Sequence, residues 1–165
     1  MVNSSSQQRV VNPARPRVYY GFTLAELLLA LAIAAILATI AFSSYSGYRI
    51  RLDNQQAKND ILLIQIAIER FHSTHFNYPN QLTDLTDTIP LQDPWGHTYQ
   101  YLNITTVKGN GQVRKDHNLV PLNTDYDLYS MGKDGKSVSP LTAKASRDDI
   151  VRANNGAFVG LASDY

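Results

Sequence analysis

The 165-residue sequence predicts an α+β protein whose helical part is one long N-terminal helix. Three observations predict it. An unbroken apolar run occupies residues 22–42, an apolar stripe at helical spacing follows it, and two short alternating, aromatic-rich segments come later.

Residues 21–42 read G-F-T-L-A-E-L-L-L-A-L-A-I-A-A-I-L-A-T-I-A-F. Ala, Leu and Ile dominate, neither Pro nor Gly interrupts the run after Gly21, and apolar residues go all the way round the helix. At a rise of about 1.5 Å per residue the run matches the ~30 Å hydrocarbon core of a bilayer. The exception is Glu26, a carboxylate that is costly in lipid unless a cation pairs with it. A cut between Gly21 and Phe22 creates an amine at the same end of the helix as Glu26. Copies packed side by side and offset by about one turn can then neutralise one subunit's carboxylate with the neighbour's amine.

Gly21, Phe22, Thr23, Leu24 and Glu26, followed by the apolar run, resemble the class III signal of type IV pilins and type II secretion pseudopilins. The resemblance implies a prepilin peptidase that cuts after Gly21 on the cytoplasmic face and methylates the new Phe22 amine. It also implies that Glu26 serves docking between subunits.

This divides the chain into a leader over residues 1–21, a transmembrane and assembly helix over residues 22–45, and a periplasmic domain over residues 46–165. The leader carries Arg9, Arg15 and Arg17 and no acid, so the positive-inside bias orients the N-terminus to the cytoplasm and the domain across the membrane. The formal net charge of +1 becomes negative once those arginines are removed, and nothing basic enough for nucleic acid remains. With no cysteine, the domain has no disulfide. An ordinary secretory signal cut near Ala41 and an uncleaved signal anchor are the competing targeting readings.

Beyond the apolar run, Ile50, Ala57, Ile61, Ile64, Ile68 and Phe71 recur at spacings that make one helix face. The simplest expectation is one helix over about residues 22–74, with a break near Gly47 as the alternative. Arg51, Lys58, Asp60, Glu69 and Arg70 fall off the stripe and are expected in solvent. Pro79 ends the helix, and a short helix or turn is expected over residues 81–86 with Asn80 as its cap. Pro90, Asp93, Pro94 and Gly96 mark a loop around Trp95. Residues 98–103 and 126–131 read as strands, the run to Asn118 as an exposed loop, and the tail as polar apart from residues 157–161.

Nothing in the chain reads as an enzyme: there is no Gly-x-Ser-x-Gly, no Walker loop, no His-Glu-x-x-His and no thiol. His72 and His75 share a helix face but find no third zinc ligand at a recognisable spacing. The carboxylates Asp134, Asp148 and Asp149 lie on one long loop that could bend round a hard cation, or else form an ordinary turn and a solvated face.

Asp93-Pro94-Trp95-Gly96, Tyr99, Tyr101, the segment Y-D-L-Y-S-M-G-K-D-G from Tyr126, and Asp148-Asp149-Ile150 resemble the C-terminal half of the major type II secretion pseudopilins, the G component. That resemblance implies a type IV pilin-like fold, with the long helix packed on a small antiparallel sheet and calcium bound at Asp134, Asp148 and Asp149. It implies a structural subunit of the bacterial inner membrane. The subunit polymerises with itself and with other pseudopilins on an inner-membrane secretion platform, into a periplasmic fibre that drives export of folded proteins across the outer membrane. A type IV or competence pilin is the alternative within the family, and a signal-anchored periplasmic binding module or enzyme the alternative outside it. The loop between Asp134 and Asp148 is longer than the family's.

Overall fold

The computed structural model describes residues 21–165, apart from the side chains of residues 43 and 44. The leader before Gly21, with its arginines, lies outside the described residues. The chain divides into two compact units, Met1–Phe42 and Ser43–Tyr165.

In the first unit every described residue, 21–42, is exposed. Helix α1, Leu24–His75, begins here and continues without the break considered at Gly47. Among the described residues it is the one helix long and apolar enough to cross a membrane.

The second unit holds the C-terminal part of α1 and a four-stranded antiparallel sheet, β1 (Gln100–Asn103), β2 (Tyr126–Ser130), β3 (Ile150–Ala153) and β4 (Phe158–Leu161), in the order β1-β2-β3-β4. The register pairs Tyr101 with Leu128, Tyr129 with Val151, and Arg152 with Val159. Strand β3 falls where the sequence reads as loop, and β4 on the short apolar run over residues 157–161, which does not read as a strand. β1 and β2 are each shorter than the expected segments.

Alternation along the strands builds two cores. Tyr126, Leu128 and Ile150 face α1 and pack with Ala57, Ile61, Ile64 and Ile68, the stripe read from the sequence, and with Tyr99 and Leu82. Ile50 and Phe71, the two ends of that stripe, stand outside this core, Ile50 exposed and Phe71 half-buried. Tyr129, Val151 and Ala153 face the other way and pack with Leu122, Leu141, Ala162 and Phe158. The sheet is therefore a middle layer, with helix on one side and connecting loops on the other. The segment before Asn118 is part of that cover: Val113 and Arg114 are buried, where an exposed loop was expected.

Polar latches tie helix to sheet. Tyr99 Oη donates to Asp60 at 2.9 Å and Tyr126 Oη to Glu69 at 3.2 Å, so these two acids are engaged by the sheet's tyrosines rather than left to solvent. The Arg152 guanidinium donates through both Nη atoms to Asp125 (2.9 and 2.6 Å) and through Nε to Gln65 (3.1 Å), and lies 3.9 Å over the Tyr126 ring. A buried guanidinium needs such a full set of partners. The expected short helix is a single turn, Leu82–Asp84, capped from Gln81 rather than Asn80, because Asp84 reaches back to both backbone amides (3.0 and 3.1 Å).

Candidate functional site

Two regions carry the residues singled out by the sequence. At the start of α1, Thr23 Oγ1 accepts the Glu26 amide at 3.2 Å, while Glu26 Oε2 accepts both the Thr23 amide and its hydroxyl at 2.9 Å. This is a reciprocal capping box, in which two amides at the helix start are satisfied by side chains of the chain itself. Its signal is the T-x-x-E spacing at Thr23, which the sequence carries and the docking role assigned to Glu26 overlooked. Both of the bonds that Glu26 accepts fall on Oε2. Phe22, four positions earlier, is 81% exposed.

The second region is the loop between Asp134 and Asp149. Gly132 turns the chain at a φ of +64°, and a Cβ there would collide with the Asp148 carbonyl oxygen, so the two ends of the loop meet across a glycine. Asp148 Oδ2 accepts the Asp134 amide at 3.1 Å, and Asp134 Oδ1 accepts the Lys136 amide at 2.8 Å. Asp148 thus meets the backbone of Asp134, while the Asp134 carboxylate turns to its own loop.

Asp149 is turned elsewhere. It lies on the loop-covered face of the sheet with its side chain fully buried, and its Oδ2 accepts from Arg114 Nη2 at 2.6 Å and Ser137 Oγ at 2.5 Å. Burial pushes its carboxyl up to about 6, against the Ser137 and Arg114 bonds that favour the ionised form. Asp149 Oδ1 and Arg114 Nε are buried without hydrogen-bond partners. Among the described residues no cluster of three or more His, Cys, Asp or Glu is arranged to hold a metal ion. The implied calcium set does not fit: one of its three carboxylates is already neutralised by a guanidinium.

The D-P-W-G loop is knotted to this region by Asp93, a role sequence reasoning missed. Its Oδ1 accepts the amides of Trp95 (3.1 Å) and His97 (2.9 Å), and its Oδ2 accepts the Ser130 hydroxyl at 2.5 Å. Ser130 Oγ in turn accepts the Gly132 amide at 3.0 Å, and His97 Nδ1 donates to the Gly132 carbonyl at 3.0 Å. An Asp before Pro in a turn is the signal that finds it. Arg114 left no comparable signal.

Comparison with known proteins agrees with this anatomy. Residues 17–42 match the family described as the prokaryotic N-terminal methylation motif. The type II secretion system core protein G of Aeromonas hydrophila is 27% identical over 137 residues, covering 71% of this chain and 85% of that protein. The protein of the same name from Klebsiella pneumoniae is 25% identical over 150 residues, covering 79% and 91%. That of Xanthomonas campestris pv. campestris is 28% identical over 130 residues, covering 70% and 80%. No solved structure matches the chain. A long N-terminal helix packed on a four-stranded antiparallel sheet is the α+β arrangement of the type IV pilin-like fold. The chain therefore carries the prokaryotic N-terminal methylation motif on a pilin-like α+β fold, and is similar over most of its length to the core G proteins of type II secretion systems.

Proposed function

We propose that this chain is a pseudopilin, a structural subunit that polymerises into the periplasmic pseudopilus of a type II secretion system. The observation that carries the reading is Gly21-Phe22-Thr23-Leu24-x-Glu26 at the head of a helix whose first part is apolar and exposed all round. In this reading the chain waits as a single-pass protein of the inner membrane, its N-terminus cytoplasmic and its domain periplasmic. Prepilin peptidase hydrolyses the Gly21–Phe22 bond and methylates the Phe22 amine.

Assembly moves the apolar helix from acyl chains into contact with other helices, so apolar surface stays out of water throughout. Glu26 then meets the Phe22 ammonium of a neighbouring copy through Oε1, while Oε2 keeps its bonds to Thr23. The partners are other copies of the chain, other pseudopilins and the secretion platform, and the chain's part is mechanical rather than catalytic.

Two measurements test this. Mass analysis of protein purified from native membranes should find a chain beginning at N-methylated Phe22; one beginning at Met1 or near Phe42 removes the reading. The Glu26→Leu chain should insert in the membrane at wild-type levels yet be depleted from sheared fibres by about a hundredfold or more, the order of effect expected for breaking a buried ion pair at about 3–5 kcal/mol. Equal fibre yield from this variant would reduce the helix to a tether.

A further inference from the structure

The loop in which three carboxylates were expected to hold calcium already contains a cation. Arg114 reaches it from the segment before β2. Its Nη2 donates to Asp149, and its Nη1 donates to Ser137 Oγ at 2.5 Å and to the Val138 carbonyl at 2.8 Å. The guanidinium lies 4.2 Å over the Tyr129 ring. One group thus gathers a carboxylate, a hydroxyl and a backbone carbonyl from both ends of the loop, an all-oxygen set of the kind a calcium ion takes.

Arg114 is held in place to do this. Its amide donates to Asp127 at 2.7 Å and its carbonyl accepts from Leu122 at 2.8 Å. Its neighbours are laced to the same loop, Val113 O accepting from Ser139 Oγ at 2.5 Å and Lys115 O from Leu141 N at 2.9 Å. The side chain is 4% exposed and that of Asp149 0%, so water does not share the pair.

We infer that Arg114 is the resident cation of this loop: through Asp149, Ser137 and Val138 it closes the loop between Asp134 and Asp149 without a metal. The unpartnered Asp149 Oδ1 does not restore a calcium site. A divalent ion bound there would stand within about 7 Å of the guanidinium on the same carboxylate, in a dry site where repulsion is little screened. Asp134 and Asp148 alone offer two carboxylates, both already accepting backbone amides, where calcium wants six to eight oxygens. The inference goes beyond the pseudopilin reading and holds whether or not the chain assembles.

The test is thermal unfolding of the full chain in detergent micelles, in millimolar calcium chloride and in chelator, beside calorimetric titration with calcium. The wild-type curves should coincide and the titration should show no binding. Arg114→Gln should lower Tm by roughly 10 °C or more, since it leaves Asp149 buried and unpaired. A wild-type Tm that rises with calcium, or an Arg114→Gln chain as stable as wild type, overturns the inference. If Arg114→Gln fails to fold, the wild-type titration decides alone: calcium binding at micromolar to millimolar concentration overturns it, and none supports it.

Discussion

Asp127 shows how burial and hydrogen bonding compete at a single carboxylate. It is 1% exposed on β2, and both oxygens are engaged, Oδ2 by the Arg114 amide and Oδ1 by Asn123 Nδ2 at 2.9 Å. Burial raises its pKa above the ordinary aspartate value, and the two hydrogen bonds and the Arg114 charge only partly offset that. A carboxyl raised by folding contributes stability that is fully present below its unfolded pKa, about 3.9, and is lost as pH rises through the folded value. NMR titration of the Asp127 carboxyl should therefore find a midpoint above the range of the exposed aspartates; a midpoint at or below it would mean that the hydrogen bonds outweigh burial. Asp127 and Arg114 also mark the limit of what the sequence could say about the site. Arg114 meets Asp127 across 13 residues and Asp149 across 35, from a segment with no apolar period, so only the folded sheet brings them together. Glu26 and Thr23 lie three residues apart on one helix turn, and their pairing could be read directly.

At the scale of the element, the second part of α1 is a lever on the stability of the domain. Ile61, Ile64 and Ile68 are fully buried at spacings of three and four, against Tyr126, Leu128 and Ile150. Ile64→Ala should cost about 2–5 kcal/mol, the usual cost of a cavity in a closed core. Leu63→Ala, one residue along and 55% exposed, should change stability by no more than about 0.5 kcal/mol. Chemical unfolding of the two variants checks the contrast, and equal costs would mean the helix is not seated on this face. The stripe was legible because a helix repeats its buried face within a few residues, and β1 and β2 because their aromatics alternate. Strands β3 and β4 were not. β3 carries Arg152 in a buried position and reads as charged, while β4 reads as a short apolar run that Gly160 interrupts, too short to declare a strand by alternation. Their extended form comes from pairing with each other and with β2, which a local pattern does not record.

For the whole molecule, the two units solve the burial problem in opposite ways. Ser43–Tyr165 makes its own cores, whereas residues 21–42 satisfy their backbone within α1 and leave every side chain exposed. Such a surface suits a setting in which lipid or another apolar surface replaces water. Because the chain has no cysteine, a single introduced thiol reports its own surroundings. In native membranes, Ala34→Cys should resist a water-soluble maleimide although Ala34 is exposed in the isolated chain, and Leu63→Cys should react readily. Ala57→Cys, on the buried face of the same helix, should stay unreactive in membranes and in detergent alike. The three rates separate cover by lipid from cover by the fold. If Ala34→Cys were labelled as fast as Leu63→Cys in membranes, the apolar half of α1 would not lie in the bilayer, and the pathway from inserted subunit to fibre would lose its first step.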